Sequence, residues 1–178
     1  MQRKLILSSP LLEITISRLC QELIENHQDF AHSVIIGLQP RGIHFAQRVH
    51  QELEDITGVK VPFGVLDATF YRDDFRRREL VKANETKISF VIENKRVILI
   101  DDVLATGRMV RSALDAMTAF GRPNKVELCV LIDRIYNRDL PINADYVGKK
   151  VNTLDTEKVL VELQEQGHPL DRIWLITD

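Results

Sequence analysis

The apolar positions fall into blocks whose period changes along the chain. Leu12, Ile16, Leu19 and Leu23 recur at helical spacing after Ser9-Pro10, which reads as an N-cap followed by proline at the first helical position, so a helix is predicted to about His27. Ser33 to Leu38 is a short β-branched run bounded by Gly37 and predicts the first core strand. Ile43, Ala46, Val49, Leu53 and Ile56 mark one face of a second helix from about Gly42 to Thr57, with Gly58 as its C-terminal cap. Val61 to Phe70 is strand-like. Tyr71 to Lys87 is polar, dense in charge and without a clean period, which predicts a long mobile loop.

Beyond that loop, Val97-Ile98-Leu99-Ile100 is apolar on both faces, the pattern of a central parallel strand covered by helices on both sides. Arg108 to Phe120 predicts a helix with Val110, Ala113, Leu114 and Met117 inward, stopped by Gly121-Arg122-Pro123, and Lys125 to Ile132 predicts another apolar strand. Strand and helix thus alternate from about 33 to 133, which argues an α/β fold with a doubly wound, mostly parallel sheet. After Asp133 short β-like pieces (Ala144 to Val147, Val159 to Leu163, Arg172 to Thr177) alternate with turns. This change of pattern predicts a small β-rich subdomain.

The composition narrows the class. The chain has 178 residues, 44% of them hydrophobic and 28% charged, enough for one domain with a sizeable core and no need of disulfides or metals. Lys+Arg 24 against Asp+Glu 26 leaves a formal charge of -2, so the whole surface is not built to wrap nucleic acid, although a local basic face is compatible with it. The apolar runs are too short to span a bilayer and the first residues carry no secretory pattern, so a cytoplasmic protein without membrane association is expected. Cys20 and Cys129 are expected to be reduced, buried thiols, and none of the five histidines pairs at zinc-ligand spacing.

The chemistry concentrates in Val97 to Val110, V-I-L-I-D-D-V-L-A-T-G-R-M-V. A buried strand ends at Asp101-Asp102, a short loop carries Thr106-Gly107, and a helix follows. In open α/β sheets ligands bind beyond the carboxyl ends of strands, where helix N-termini present free amides. A phosphate there would be held by loop amides, the Thr106 hydroxyl and the helix dipole, with Gly107 allowing close approach. The two carboxylates repel phosphate and suit sugar hydroxyls or a magnesium ion. Phosphate on one side and a diol on the other describes a ribose 5-phosphate. On the Asp-Asp dipeptide alone, a helix cap is the competing reading.

The same stretch resembles the phosphoribosyl pyrophosphate (PRPP) signature of the type I phosphoribosyltransferases. Further segments, Leu66-Asp67-Ala68-Thr69-Phe70-Tyr71-Arg72-Asp73-Asp74, Gly121-Arg122-Pro123, Leu131-Ile132-Asp133-Arg134, and Leu140-Pro141-Ile142 with Ala144-Asp145-Tyr146-Val147-Gly148-Lys149, resemble one branch of it, the bifunctional pyrimidine-operon attenuators and uracil phosphoribosyltransferases. The resemblance covers nearly the whole chain. It implies one domain, with a core at about 30–133, a hood from about 134–178 plus the N-terminal segment, and a mobile lid at about 71–90. It implies the Mg2+-dependent reaction of uracil with PRPP to give UMP and pyrophosphate. Asp101 and Asp102 would take the ribose diol and the metal, and residues Val103, Leu104, Ala105, Thr106, Gly107, Arg108 and Met109 the 5-phosphate.

Leu38, Gln39, Pro40, Arg41 and Gly42 would form the pyrophosphate loop, with a non-proline cis peptide at Leu38-Gln39 and Arg41 as its cation. Arg72 would act from the lid, a segment that also reads as a solvated charge run. Arg134, Val147 and Val159 would contact the base. Arg18, Arg138, Lys149 and Lys150 are candidate contacts to a leader RNA of pyrimidine genes, and a homodimer or tetramer is implied. The chain departs from relatives at four places: Gln39 replaces a common Lys, Met109 a common Thr, Ala105 the bulkier residue that pyrimidine relatives often carry, and Ile135-Tyr136-Asn137-Arg138 a shorter Gly-His-Arg-like stretch. Ala105, where hypoxanthine-type relatives carry Asp, argues against a purine. A non-catalytic, nucleotide-sensing RNA regulator, a purine phosphoribosyltransferase and an unrelated phosphate binder stay open as alternatives.

Overall fold

The computed structural model describes residues 2–71 and 84–177. In chain order the elements are β1 (Gln2–Ser8), α1 (Ser9–His27), β2 (Ser33–Leu38), α2 (Gly42–Thr57), β3 (Phe63–Leu66), β4 (Arg96–Leu104), α3 (Arg108–Met117), β5 (Lys125–Ile135), β6 (Tyr146–Asn152), β7 (Glu157–Glu162) and β8 (Arg172–Thr177), with short 3-10 turns at Thr69–Tyr71, Thr118–Phe120 and Gln164–Gln166. Five strands form one sheet in the order β3-β2-β4-β5-β6, every neighbouring pair parallel. The remaining three form an antiparallel sheet, β1-β8-β7.

The central strand is apolar on both faces because it is covered on both. Ile98 and Ile100 pack into a cluster with Leu12, Ile16, Leu19 and Leu23 of α1 and Phe45, Ala46, Val49 and Leu53 of α2. Val97 and Leu99 pack into a second cluster with Val110, Ala113, Ala116 and Met117 of α3. Four fully buried side chains in a row cannot face water on either side, so helices must flank this strand. Gly58 closes α2 in the left-handed region at φ 67°, as the helix stop signal predicts.

Several expectations shift. The first helix begins at Ser9 behind an N-cap at Ser8, because β1 runs directly into it, and Pro10 lies in its first turn. On α2, Phe45 is buried while Ile56 is exposed, and on α3 Ala116 is buried where Leu114 is exposed. The strand-like stretch from Val61 contracts to Phe63–Leu66, followed by a 3-10 turn. The largest change concerns β6. The sequence pattern places this strand in a terminal subdomain, whereas it extends the parallel sheet alongside β5, with Val130 opposite Val147. It is an edge strand with exposed Lys149 and Lys150, and that polarity imitates a strand outside the core. β1 completes the small sheet by pairing with β8.

Candidate active site

The strand order reverses between β2 and β4: β2 continues through α2 to β3 on one side, and β4 through α3 to β5 on the other. The loops leaving the two strands therefore diverge and open a crevice at their carboxyl ends, the place where open α/β sheets bind ligands. Residues 38–42 form one wall and 101–109 the other.

Asp101 and Asp102 lie within β4, whose ladder to β5 continues past them, with Asp101 opposite Val130 and Val103 opposite Ile132. They cap no helix. The Asp101 Oδ1 accepts the Asp102 N–H at 2.9 Å, and the Asp102 Oδ1 accepts the Val103 N–H at 2.8 Å. Both are buried. Burial, then the neighbouring Asp102, pushes the Asp101 carboxyl well above the usual range, and burial raises Asp102 as well; Arg41 opposes both. Both shifts disfavour two full negative charges at this point of the strand.

The start of α2 lies directly against this pair. A Cβ on Gly42 would sit 2.6 Å from the Asp101 Oδ1 and 2.8 Å from its Cα, so glycine is needed for the helix to begin here. Gln39 ties the same wall to β3 by donating its N–H to the Leu66 carbonyl at 2.9 Å. The cis peptide is at Gln39-Pro40, one bond beyond the expected Leu38-Gln39. Arg41 is exposed at the rim.

On the other wall, Gly107 is the N-cap of α3 at φ 89°, a left-handed conformation, and a Cβ there would meet Ile142 at 3.3 Å. The Thr106 hydroxyl accepts the Arg108 N–H at 3.3 Å, and the Thr106 carbonyl accepts the N–H groups of Asp139 and Leu140 at 3.0 and 3.2 Å. Met109 turns away from the loop and packs half-buried against the apolar cluster under α3. A cleft of about 390 Å³ opens beside this loop, lined by Ala105, Thr106, Arg134, Tyr136, Asn137, Arg138, Asp139 and Asp155.

Of the base-contact expectations, Arg134 borders the cleft, but its guanidinium is turned to Thr153 Oγ1 at 3.0 Å and the Glu157 carbonyl at 2.7 Å, bracing the turn before β7. Val147 and Val159 are not brought together. The first lies on β6 against the α3-side cluster, the second on β7 against the α1/α2-side cluster. Arg72 lies outside the described residues, as does most of the segment expected to be a lid. Arg18 donates to the Val147 and Gly148 carbonyls, at 3.1 and 2.5 Å, and Lys149 to the Ile6 carbonyl at 3.1 Å, whereas Arg138 is bonded to Ala105 in the 101–109 wall. Lys150 is exposed on β6.

The structure adds Tyr136, 80% exposed at the mouth of the cleft with φ 77°, and Asp155, whose Oδ1 accepts the Asn137 amide at 2.8 Å. An aromatic residue in a polar run was the available signal for Tyr136. Its backbone conformation has none in the sequence.

A model of the phosphoribosyl transferase domain matches residues 2–166. The chain belongs to the phosphoribosyltransferase family. Among phosphoribosyltransferase relatives, the Bifunctional protein PyrR of Enterococcus faecalis is 41% identical over 175 residues, 98% of this chain and 97% of the relative. The protein of the same name from Deinococcus radiodurans is 46% identical over 163 residues, covering 90% and 87%. Solved phosphoribosyltransferases share the fold. A hypoxanthine-guanine phosphoribosyltransferase of Bacillus anthracis superposes with a TM-score of 0.73 at 18% identity, covering 99% of this chain and 100% of that one. A hypoxanthine phosphoribosyltransferase of Staphylococcus aureus gives 0.70 at 20% identity, covering 96% and 90%.

Proposed function

We propose that this phosphoribosyltransferase joins uracil to the ribose 5-phosphate of PRPP, giving UMP and pyrophosphate, and that it also serves as a UMP-responsive attenuator binding the leader RNA of pyrimidine genes. The observation carrying the catalytic part is the juxtaposition of Gly42 with Asp101, which sets the 38–42 loop beside the carboxylate pair and across from the Thr106-Gly107 loop. The 5-phosphate sits among the amides of residues 103–109 and the Thr106 hydroxyl. The ribose diol faces Asp101 and Asp102, and the pyrophosphate lies along 38–42 with Arg41 at the rim. The C1′–O bond to pyrophosphate breaks as the N1–C1′ bond forms, and the proton of uracil N1 passes to solvent or to the departing pyrophosphate. The Arg41 guanidinium at the rim of 38–42 offsets the charge that gathers on the departing pyrophosphate.

Two adjacent carboxylates are hard oxygen donors, and among the described residues no cluster of three or more ligating side chains forms a closed metal cage. That donor set fits Mg2+ held jointly by a carboxylate and substrate oxygens rather than a resident ion. When bound, Mg2+ would neutralise charge on the pyrophosphate. Ala105 stands where hypoxanthine-type relatives carry Asp, which disfavours a purine, and the bifunctional relatives share far more sequence with this chain than the purine enzymes, whose likeness is one of fold. The three-stranded sheet serves as the hood and the chain assembles as a dimer or tetramer.

A second reading, a nucleotide-sensing regulator without turnover, is favoured by Met109, which places an apolar side chain in the core where a hydroxyl would face the phosphate. One assay decides between them: UMP formation from uracil, PRPP and Mg2+, beside the Asp101→Asn/Asp102→Asn double variant and with hypoxanthine as the control base. Turnover with uracil alone, at least about 10²-fold lower in the double variant, is expected. PRPP binding without turnover would favour the regulator.

A further inference from the structure

The phosphate-loop wall is held from outside by the segment that follows β5. The Arg138 guanidinium donates one amino group to the Ala105 carbonyl and the other to the Asp133 carboxylate at the end of β5. Its side chain is 18% exposed and that of Asp133 9%, so the cation is committed to this bridge. Next to it, the N–H groups of Asp139 and Leu140 both donate to the Thr106 carbonyl.

In a trans peptide the carbonyl and the following N–H point in opposite directions. Both peptides here are trans. Holding the Ala105 and Thr106 carbonyls toward residues 138–140 therefore turns the N–H groups of Thr106 and Gly107 the other way, into the concavity of the loop. Neither N–H meets a protein acceptor among the described residues. Two successive amides aimed at one point at a helix N-terminus form an anion cradle.

We propose that Arg138 is a positioning residue for the 5-phosphate: anchored by Asp133, it fixes the peptide plane that aims the loop amides, and it is not a contact to RNA. The inference rests on the phosphoribosyl reading of this loop. Arginine suits the task because its planar fork reaches two acceptors at once, where lysine offers a single point charge.

The test measures ribose 5-phosphate binding to the full chain by calorimetry, beside the KM values for PRPP and uracil. Arg138→Met is expected to weaken ribose 5-phosphate binding about tenfold, as for one loop-amide hydrogen bond to the phosphate turned out of line. The KM for PRPP should rise in parallel, with the KM for uracil and the affinity for inorganic pyrophosphate unchanged, since these engage other walls. Arg138→Lys should restore part of the loss. If thermal melting shows Arg138→Met to be poorly folded, Asp133→Asn keeps the cation and removes its anchor, and is expected to give an intermediate loss.

Wild-type affinity for ribose 5-phosphate in both Arg138→Met and Asp133→Asn overturns the proposal, as does weakened RNA binding with phosphate affinity intact. A wild-type chain that binds ribose 5-phosphate without making UMP defeats the transferase reading, while the comparison of variants still decides the role of Arg138. A wild-type chain that does not bind ribose 5-phosphate defeats both.

Discussion

Asp101 sits where burial opposes its charge. It is buried beside a second carboxyl and against Gly42, the first residue of α2, where a side chain of any size would clash with it. A carboxyl raised in the folded state stabilises the fold most below its unfolded value near 4, and that contribution is lost as the pH rises toward the folded value. The unliganded protein should therefore melt higher as Asp101→Asn than as wild type at pH 7, while the two converge at about pH 4. The variant should at the same time lose UMP formation. Melting curves at the two pH values, with activity measured alongside, check this; a variant that melts lower at pH 7 would show that the wild-type carboxylate is not strained. Cys20 and Cys129 are inert at the same scale: both are free and buried, and burial pushes the Cys20 thiol up to about 12 and raises Cys129 as well.

At the scale of elements, α2 carries information in both directions. Its first residue abuts Asp101, and further along Arg48 donates to Asp171 at 2.7 and 2.8 Å and to Glu165 at 2.6 and 2.5 Å, tying the helix to the turn before β8. The Asp171 side chain is 6% exposed, so removing its partner strands a buried charge. Arg48→Met should cost about 3 kcal/mol in denaturant unfolding, with PRPP binding affected less than stability.

The strands and helices that place the site were legible in the sequence because each has one dominant signal. β2 was bounded correctly by its β-branched run, α2 by Gly42 and Gly58, and the loop of Thr106 and Gly107 by its position between an apolar strand and a helix. What escaped depends on partners distant in sequence. The edge position of β6 follows from pairing with β5, and the turn of Arg134 toward Thr153 and Glu157 depends on a loop about twenty residues away. The use of Arg138 as a brace depends on a carbonyl whose direction no sequence pattern records.

Across the whole molecule, a polar network closes the end of the parallel sheet opposite the crevice. His27 of α1 is fully enclosed, its Nδ1 2.7 Å from Ser33 Oγ and its Nε2 3.2 Å from Glu127, which also accepts from Arg96 and the Tyr146 hydroxyl. Burial lowers His27 to about 4, with Glu127 opposing and Arg96 and Lys125 assisting. Burial works to raise Glu127, but His27, Lys125 and Arg96 hold it below the usual range. Both shifts have the same sign in linkage: stability is complete above about pH 6.5, where unfolded histidine is neutral, and falls as the pH drops toward 4. Asp101 acts in the opposite direction over the same range, so the comparison is between chains: from pH 7 to 4 His27→Gln should melt lower than wild type at pH 7, and the gap should narrow on acidification. A variant with the wild-type slope would remove His27 from the account.

The pairing of β1 with β8 also sets an order of assembly during synthesis. The parallel sheet draws its strands from residues 33–152 and has all of them as soon as β6 has left the ribosome. β1 is made first but must wait for residues 172–177, since its ladder runs from Gln2 opposite Thr177 to Ser8 opposite Arg172. Until residues 172–177 emerge the leading strand has no partner and is an unsatisfied edge. A chain released without residues 172–177 would therefore keep every strand of the parallel sheet, while its first strand is left protease-sensitive and open to pairing with a second copy.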